Sequence, residues 1–139
     1  MRFHHYLLAI LIFLAACTTN RKLSKIDIKD QESGMKDSVE YEIIIFDSGF
    51  ETWFLTHSKP VWYHSVEYYE SWNKQYVVAW NSKAMSPRYS KYFESTIDYD
   101  PNISYGLELN HKLFYYFMYV EKALKIDILP SGMGPHSVL

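Results

Sequence analysis

The stretch YGLELNHKLFYYFMYVEKALK, residues 105–125, decides the architecture. Leu109, Leu113, Tyr116, Phe117, Val120 and Leu124 recur at spacings of three and four, the period of a helix with one buried stripe. Leu107, Phe114 and Met118 add a second stripe, so a helix from Tyr105 to about Lys125 is expected to lie centrally, touched on two sides. Glu108 with Lys112, and Glu121 with Lys125, have the i,i+4 order that favours ion pairs along its outside.

A second long helix is expected from Ser65 to Met85, with Val66, Tyr69, Asn73, Tyr76, Val77 and Trp80 on one stripe and Glu67, Ser71, Lys74 and Ser82 opposite. Ser86-Pro87 stops it, and a shorter helix is read from Ser90 to about Ile97, before the turn Asp98-Tyr-Asp-Pro-Asn102. Upstream, Tyr41-Glu-Ile-Ile-Ile-Phe46 is β-branched and reads as a buried strand. Ser48 and Glu51 then have capping-box spacing for a helix from Gly49 to about His57, which Lys59-Pro60 breaks. Ile126-Asp-Ile-Leu129 is short enough to be either a partner for the first strand or a loop. The expected fold is therefore a single small α+β domain, predominantly helical, with four helices and one or two short strands over residues 39–129. Residues 130–139, with two glycines and two prolines, are expected to form a disordered tail.

The amino-terminal end is of another kind. Residues 1–16 carry Arg2, then an uncharged apolar run from Tyr6 to Leu14, then Ala15-Ala16, the layout of a secretory signal peptide. The run is too short for a membrane span, which needs about 20 residues. Leu14-Ala-Ala-Cys17 resembles the lipobox of bacterial lipoproteins, which implies cleavage before Cys17 and a thioether-linked lipid on it, with palmitate-type acyl chains. Burial of acyl chains contributes about 0.8 kcal/mol per methylene, so two or three chains anchor firmly where one binds reversibly. Cys17 is the only cysteine, which excludes an internal disulfide and a cysteine-built zinc site. Residues 17–38 then read as the lipidated cysteine and a flexible tether, since Thr18 to Ser38 has no aromatic residue and only Leu23, Ile26 and Ile28 as scattered apolar positions. About 21 residues of such composition span roughly 25 Å.

From Val39 to about Leu129 the chain resembles a family of small bacterial lipoproteins with no assigned activity. YEIIIFDSGFETWF, WYHSVEYYESWNKQYVVAWN and RYSKYFESTIDYDPNISYGLELNHKLFYYF carry the resemblance. It implies an envelope location, an outer-membrane anchor with the domain facing the periplasm, and no catalytic residue to carry over.

Chemistry is sparse in the remaining pattern. The net charge of −2 lacks the clustered basic surface that nucleic acid requires. The five glycines stand in neither P-loop nor dinucleotide spacing, so no nucleotide cofactor is expected, and the covalent lipid on Cys17 is the sole attached group. Glu108-x-x-His111 has the spacing of half a di-iron ligand set, but there is one copy only. His57, His64 and Glu67, with Glu70, lie around the Pro60 turn and would form an acid–base site for a small envelope hydrolase if the turn folded back. Trp53, Trp62, Tyr63, Tyr68, Tyr69, Trp72, Tyr115 and Tyr119 either fill the core or present a face to a protein or glycan. The functional expectation is a membrane-anchored envelope lipoprotein that binds or scaffolds an envelope protein or glycan. The alternatives are the hydrolase and a carbohydrate-binding module. No catalytic or metal residue is assigned.

Overall fold

A computed structural model of the chain describes residues 22–32 and 39–136. The leader, Cys17, residues 18–21 and 33–38 of the expected tether and residues 137–139 lie outside the described residues. Two antiparallel strands, β1 (Ile26–Glu32) and β2 (Val39–Ile45), pair in a register that runs from Ile26 opposite Ile45 to Glu32 opposite Val39. Three α-helices follow: α1 (Ser48–His57), α2 (Val66–Ala84) and α3 (Gly106–Lys122), with a short 3₁₀ turn at Val61–Tyr63 between the first two.

The core forms around α3. From Leu109 to Val120 every residue but Lys112 is buried, because α2 and α1 cover the helix on different sides and β2 closes a third. Ring contacts lock these layers together. Phe50 of α1 meets Tyr116 edge-on at 5.2 Å, and Tyr76 of α2 stacks on Phe117 at 4.9 Å. Pairs of this kind add about 0.5–1.5 kcal/mol beyond the area they bury.

Four helices were expected over residues 39–129, and three α-helices are present there among the described residues. Ser90–Ile97 turns as far as Tyr92 and then runs on irregularly, because its backbone is claimed by α2 side chains. The Asn81 amide group donates to the Ile97 carbonyl at 2.9 Å and accepts from the Ile97 amide at 2.8 Å. Trp80 Nε1 donates to the Ser95 carbonyl at 2.9 Å, and Phe93 packs edge-on against the Trp80 ring. These bonds reward an extended path along α2 rather than internal helical bonding.

The second strand is not Ile126–Leu129 either. There the amides of Ile128 and Leu129 donate to the Glu121 carboxylate at 3.1 and 3.0 Å, which bends the chain. The partner of β2 is Ile26–Glu32, inside the stretch read as tether. Leu23 and Ile26 are buried, and the Leu23 amide donates to the Tyr92 carbonyl at 2.8 Å. Residues 130–136, expected to be disordered, form turns with Pro135 buried. At Gly134 the chain packs closely on α2, a Cβ there coming within 3.1 Å of the Tyr76 hydroxyl.

Three local pairings also differ. Asp47, not Ser48, caps α1, its Oδ1 accepting from the amides of Gly49 and Phe50. Glu51 pairs instead with Lys112 at 2.8 Å, which takes the partner expected for Glu108. Glu121 turns inward to Tyr76 and away from Lys125. Among the described residues, no helix is long and apolar enough to cross a membrane.

Candidate functional site

The loop after α1 is held unusually tightly for an exposed connection. Pro60 prevents α1 from continuing through Lys59. Lys59 then bonds α3 with both backbone groups: its amide donates to the Tyr115 hydroxyl at 2.9 Å, and its carbonyl accepts from His111 Nε2 at 2.9 Å. An open cleft of about 530 Å³ lies along this loop, lined by Phe54, Ser58, Pro60, Val61, Glu108 and His111, with Lys59 and Lys112 at its sides. Its wall is mostly apolar.

His111 forms part of that wall and is buried. Its ring meets Phe54 and Tyr69 edge-on at 5.4 and 5.3 Å and lies tilted against Tyr115 at 4.8 Å. Because a carbonyl can only accept, Nε2 carries the proton. Burial lowers the His111 pKa, opposed by the bond to Lys59 and by the negative field of Glu108. The imidazole is thus neutral at pH 7 and acts as a positioning group for the loop. Glu108 and Lys112 stand at the rim, Lys112 already paired with Glu51.

Large apolar side chains on this loop and in the last turns of α1 are exposed. Trp62 is 74% exposed, Tyr63 51% and Leu55 81%. Leu55 follows Phe54 on α1, and the two aromatics continue the 3₁₀ turn that Val61 begins.

His57, His64 and Glu67 are each engaged separately. His57 Nδ1 lies 2.7 Å from Thr56 Oγ1 and 3.0 Å from the Trp53 carbonyl, and its ring stacks on Trp53 at 4.8 Å. His64 stacks on Tyr68 at 3.8 Å, with burial lowering its pKa. Its Nε2 is buried with no hydrogen-bond partner among the described residues. Glu67 is exposed, and a hydrogen bond with Ser65 lowers its pKa. No bond or ring contact joins the three among the described residues. Nor does any group of three His, Cys, Asp or Glu side chains able to hold a metal occur there, and Glu108-x-x-His111 has its Nε2 committed to Lys59.

Compared with known families, residues 5–134 match the model of a family of unknown function, DUF6146. The chain belongs to that family. The match takes in Cys17, both strands, all three helices and the cleft, a wider span than residues 39–129. No curated protein and no solved structure matches the chain.

In this DUF6146 member most of the aromatic set is core. Tyr69, Tyr115 and Tyr119 are buried, and Trp53, Tyr68 and Trp72 are half-buried against them. Only Trp62 and Tyr63 of that set are exposed. The pattern of the sequence did not distinguish them, but their position directly after Pro60, outside any long helix, is the signal that separates them. The role of Lys59 was illegible because it rests on backbone groups, which every residue carries.

Proposed function

We propose that this DUF6146 member is a bacterial envelope lipoprotein, anchored through acylated Cys17 and facing the periplasm from the outer membrane, whose domain binds a protein partner. The single observation that carries the binding half is Trp62, about three-quarters exposed and next in sequence to Val61 of a mostly apolar cleft whose loop is fixed from both backbone groups of Lys59. An exposed tryptophan beside a preformed apolar cleft is the arrangement of a binding hot spot, where a partner's side chain fills the cleft and the ring closes over it. Pre-organisation of the loop lowers the ordering cost of that contact. The apolar wall fits an aliphatic or aromatic side chain better than a sugar, which needs polar groups lined up with its hydroxyls. The anchor half rests on Leu14-Ala-Ala-Cys17 after an uncharged apolar run.

Two measurements test the two halves. Intact mass of membrane-extracted protein, wild type beside Cys17→Ala, should give a chain that begins at Cys17 with added acyl mass in the first and none in the second. A photo-crosslinking residue in place of Trp62 should give a discrete adduct in intact cells that Leu55→Ser or Tyr63→Ala abolishes. The same residue in place of Val78, exposed on α2, should not. Identical adduct patterns from both positions would sink the binding face.

A further inference from the structure

The place where the chain enters the fold sets how the domain stands on its membrane. The described residues begin at Lys22, only five peptide steps after Cys17, and Leu23 is already buried in the core. Five steps span at most about 18 Å in any conformation. A free tether of some 21 residues is therefore not available. If Cys17 carries lipid, a premise taken over from the proposed function, the entry face cannot leave the headgroup region by more than that distance.

That face has a definite composition. Lys22 shares a shallow depression of about 310 Å³ with Ser24, Phe46, Asp47, Tyr119 and Leu124. Phe46 is 60% exposed, just beyond the end of β2, and its amide is bonded to the Lys25 carbonyl, which fixes it beside the entering chain. Lys25 is exposed there, and Lys125 follows Leu124 at the surface. The acidic groups nearby are Asp47, which caps α1, and Glu94 and Asp27, which pair with the exposed Lys22 and Lys25. Exposed pairs of this sort contribute little and exchange readily, so both ammonium groups remain able to meet lipid phosphates. A protruding phenylalanine among lysines suits the headgroup boundary, where the ring dips among the acyl carbons and the amines stay with the phosphates.

The same geometry aims the cleft. The depression takes the amino-terminal end of α1 and the carboxy-terminal end of α3, whereas the cleft takes the opposite ends of both helices. From Tyr119 back to Glu108 is about 16 Å along the α3 axis. We propose that the face of Lys22, Phe46 and Lys125 docks on the phospholipid surface beside acylated Cys17, so that α1 and α3 act as struts holding the Trp62 cleft away from the bilayer.

The test uses the full-length, acylated protein reconstituted in vesicles of phosphatidylethanolamine and phosphatidylglycerol. The thiol of Cys17 is consumed by its thioether, so Phe46→Cys and Trp62→Cys each offer one site for an environment-sensitive fluorophore. Both positions are exposed, and circular dichroism of the labelled proteins verifies that they fold. With acylation established by mass, the label at 46 should shift to the blue and be quenched at least threefold more by shallow lipid-borne nitroxides than the label at 62. Equal quenching at the two positions on acylated protein would overturn the docking while leaving the anchor intact. A mass without acyl groups would overturn the anchor and the docking together.

Discussion

The Glu121 carboxylate and the Tyr76 hydroxyl lie 2.9 Å apart and tie α3 to α2 where the carboxy-terminal segment turns back over both. The second oxygen of Glu121 accepts from the amides of Ile128 and Leu129, so one side chain satisfies three donors. Glu121→Ala strips all three, and leaving buried donors unpaired should lower stability by about 3 kcal/mol. Glu121→Gln keeps a carbonyl acceptor and should cost only about 1 kcal/mol. Urea midpoints at unchanged m report both, and equal small effects would mean that the carboxylate is not structural.

Asn73 and Asn110, facing residues of α2 and α3, are fully buried and should differ in their cost on removal. Asn110 accepts from Asn73 Nδ2 and from the Tyr99 hydroxyl at Oδ1, and donates to the Gly106 carbonyl. Asn73 has one donor nitrogen in use, and its Oδ1 has no hydrogen-bond partner among the described residues. Asn110→Leu should therefore destabilise by about 3 kcal/mol and Asn73→Leu by about 1 kcal/mol, because the first strands more partners. A reversed order in thermal or urea unfolding would contradict this network.

The two long helices were legible because their apolar residues keep a 3.6-residue period over several turns; in α2 burial follows that stripe, and in α3 it extends all round. Even the double stripe of residues 105–125 correctly placed α3 at the centre. What failed was settled by long-range partners. Ile26-Asp-Ile-Lys-Asp-Gln-Glu32 is a strand because β2 offers it a ladder, and its polar alternation reads equally well as linker. Ser90–Ile97 has helical spacing but lies where Trp80 and Asn81 capture its carbonyls. In the cleft, Glu108 and His111 were legible as a pair, yet the use of the imidazole, a bond to the Lys59 carbonyl, depends on a contact 52 residues away in sequence.

Burial lowers the pKa of both His64 and His111 below the ordinary value of 6.5. Below that value the unfolded chain binds protons that the folded chain refuses, so stability is full above pH 6.5 and falls as pH drops through the folded pKa values. Stability at pH 5 should thus be lower than at pH 7.5, and a His64→Phe, His111→Phe variant should show a flatter profile. Its stability at pH 7.5 will be lower from the lost Lys59 bond, so the slope, measured by urea unfolding across pH, is the readout. An undiminished slope would assign the acid sensitivity elsewhere.

At Gly49 the usual preference for alanine in helices should reverse. Alanine is favoured over glycine by about 1 kcal/mol within a helix. Here a Cβ would fall 2.6 Å from the Tyr119 hydroxyl and 3.3 Å from Asp47 Oδ1, the α1 cap. Gly49→Ala should destabilise by about 1–2 kcal/mol through this overpacking. Adding Tyr119→Phe removes the nearest atom and should restore part of the loss. Strict additivity of the two changes in a double-mutant cycle would show that they do not meet.

The order of the amino-terminal segment is the point on which the membrane-facing inference depends, and it can be measured without a membrane. Leu23 is buried against the core and its amide is bonded to Tyr92, whereas Lys29, six residues on in the same strand region, is exposed. Leu23→Ala should cost about 2–4 kcal/mol, the range for truncating a buried leucine. Lys29→Ala should stay within about 0.5 kcal/mol, as surface changes do. Both are read from urea unfolding of the Cys17→Ala chain, which carries no lipid. If Leu23→Ala were as silent as Lys29→Ala, the segment would hang free, the lipid would sit at the end of a long leash, and the domain could turn any face to the bilayer.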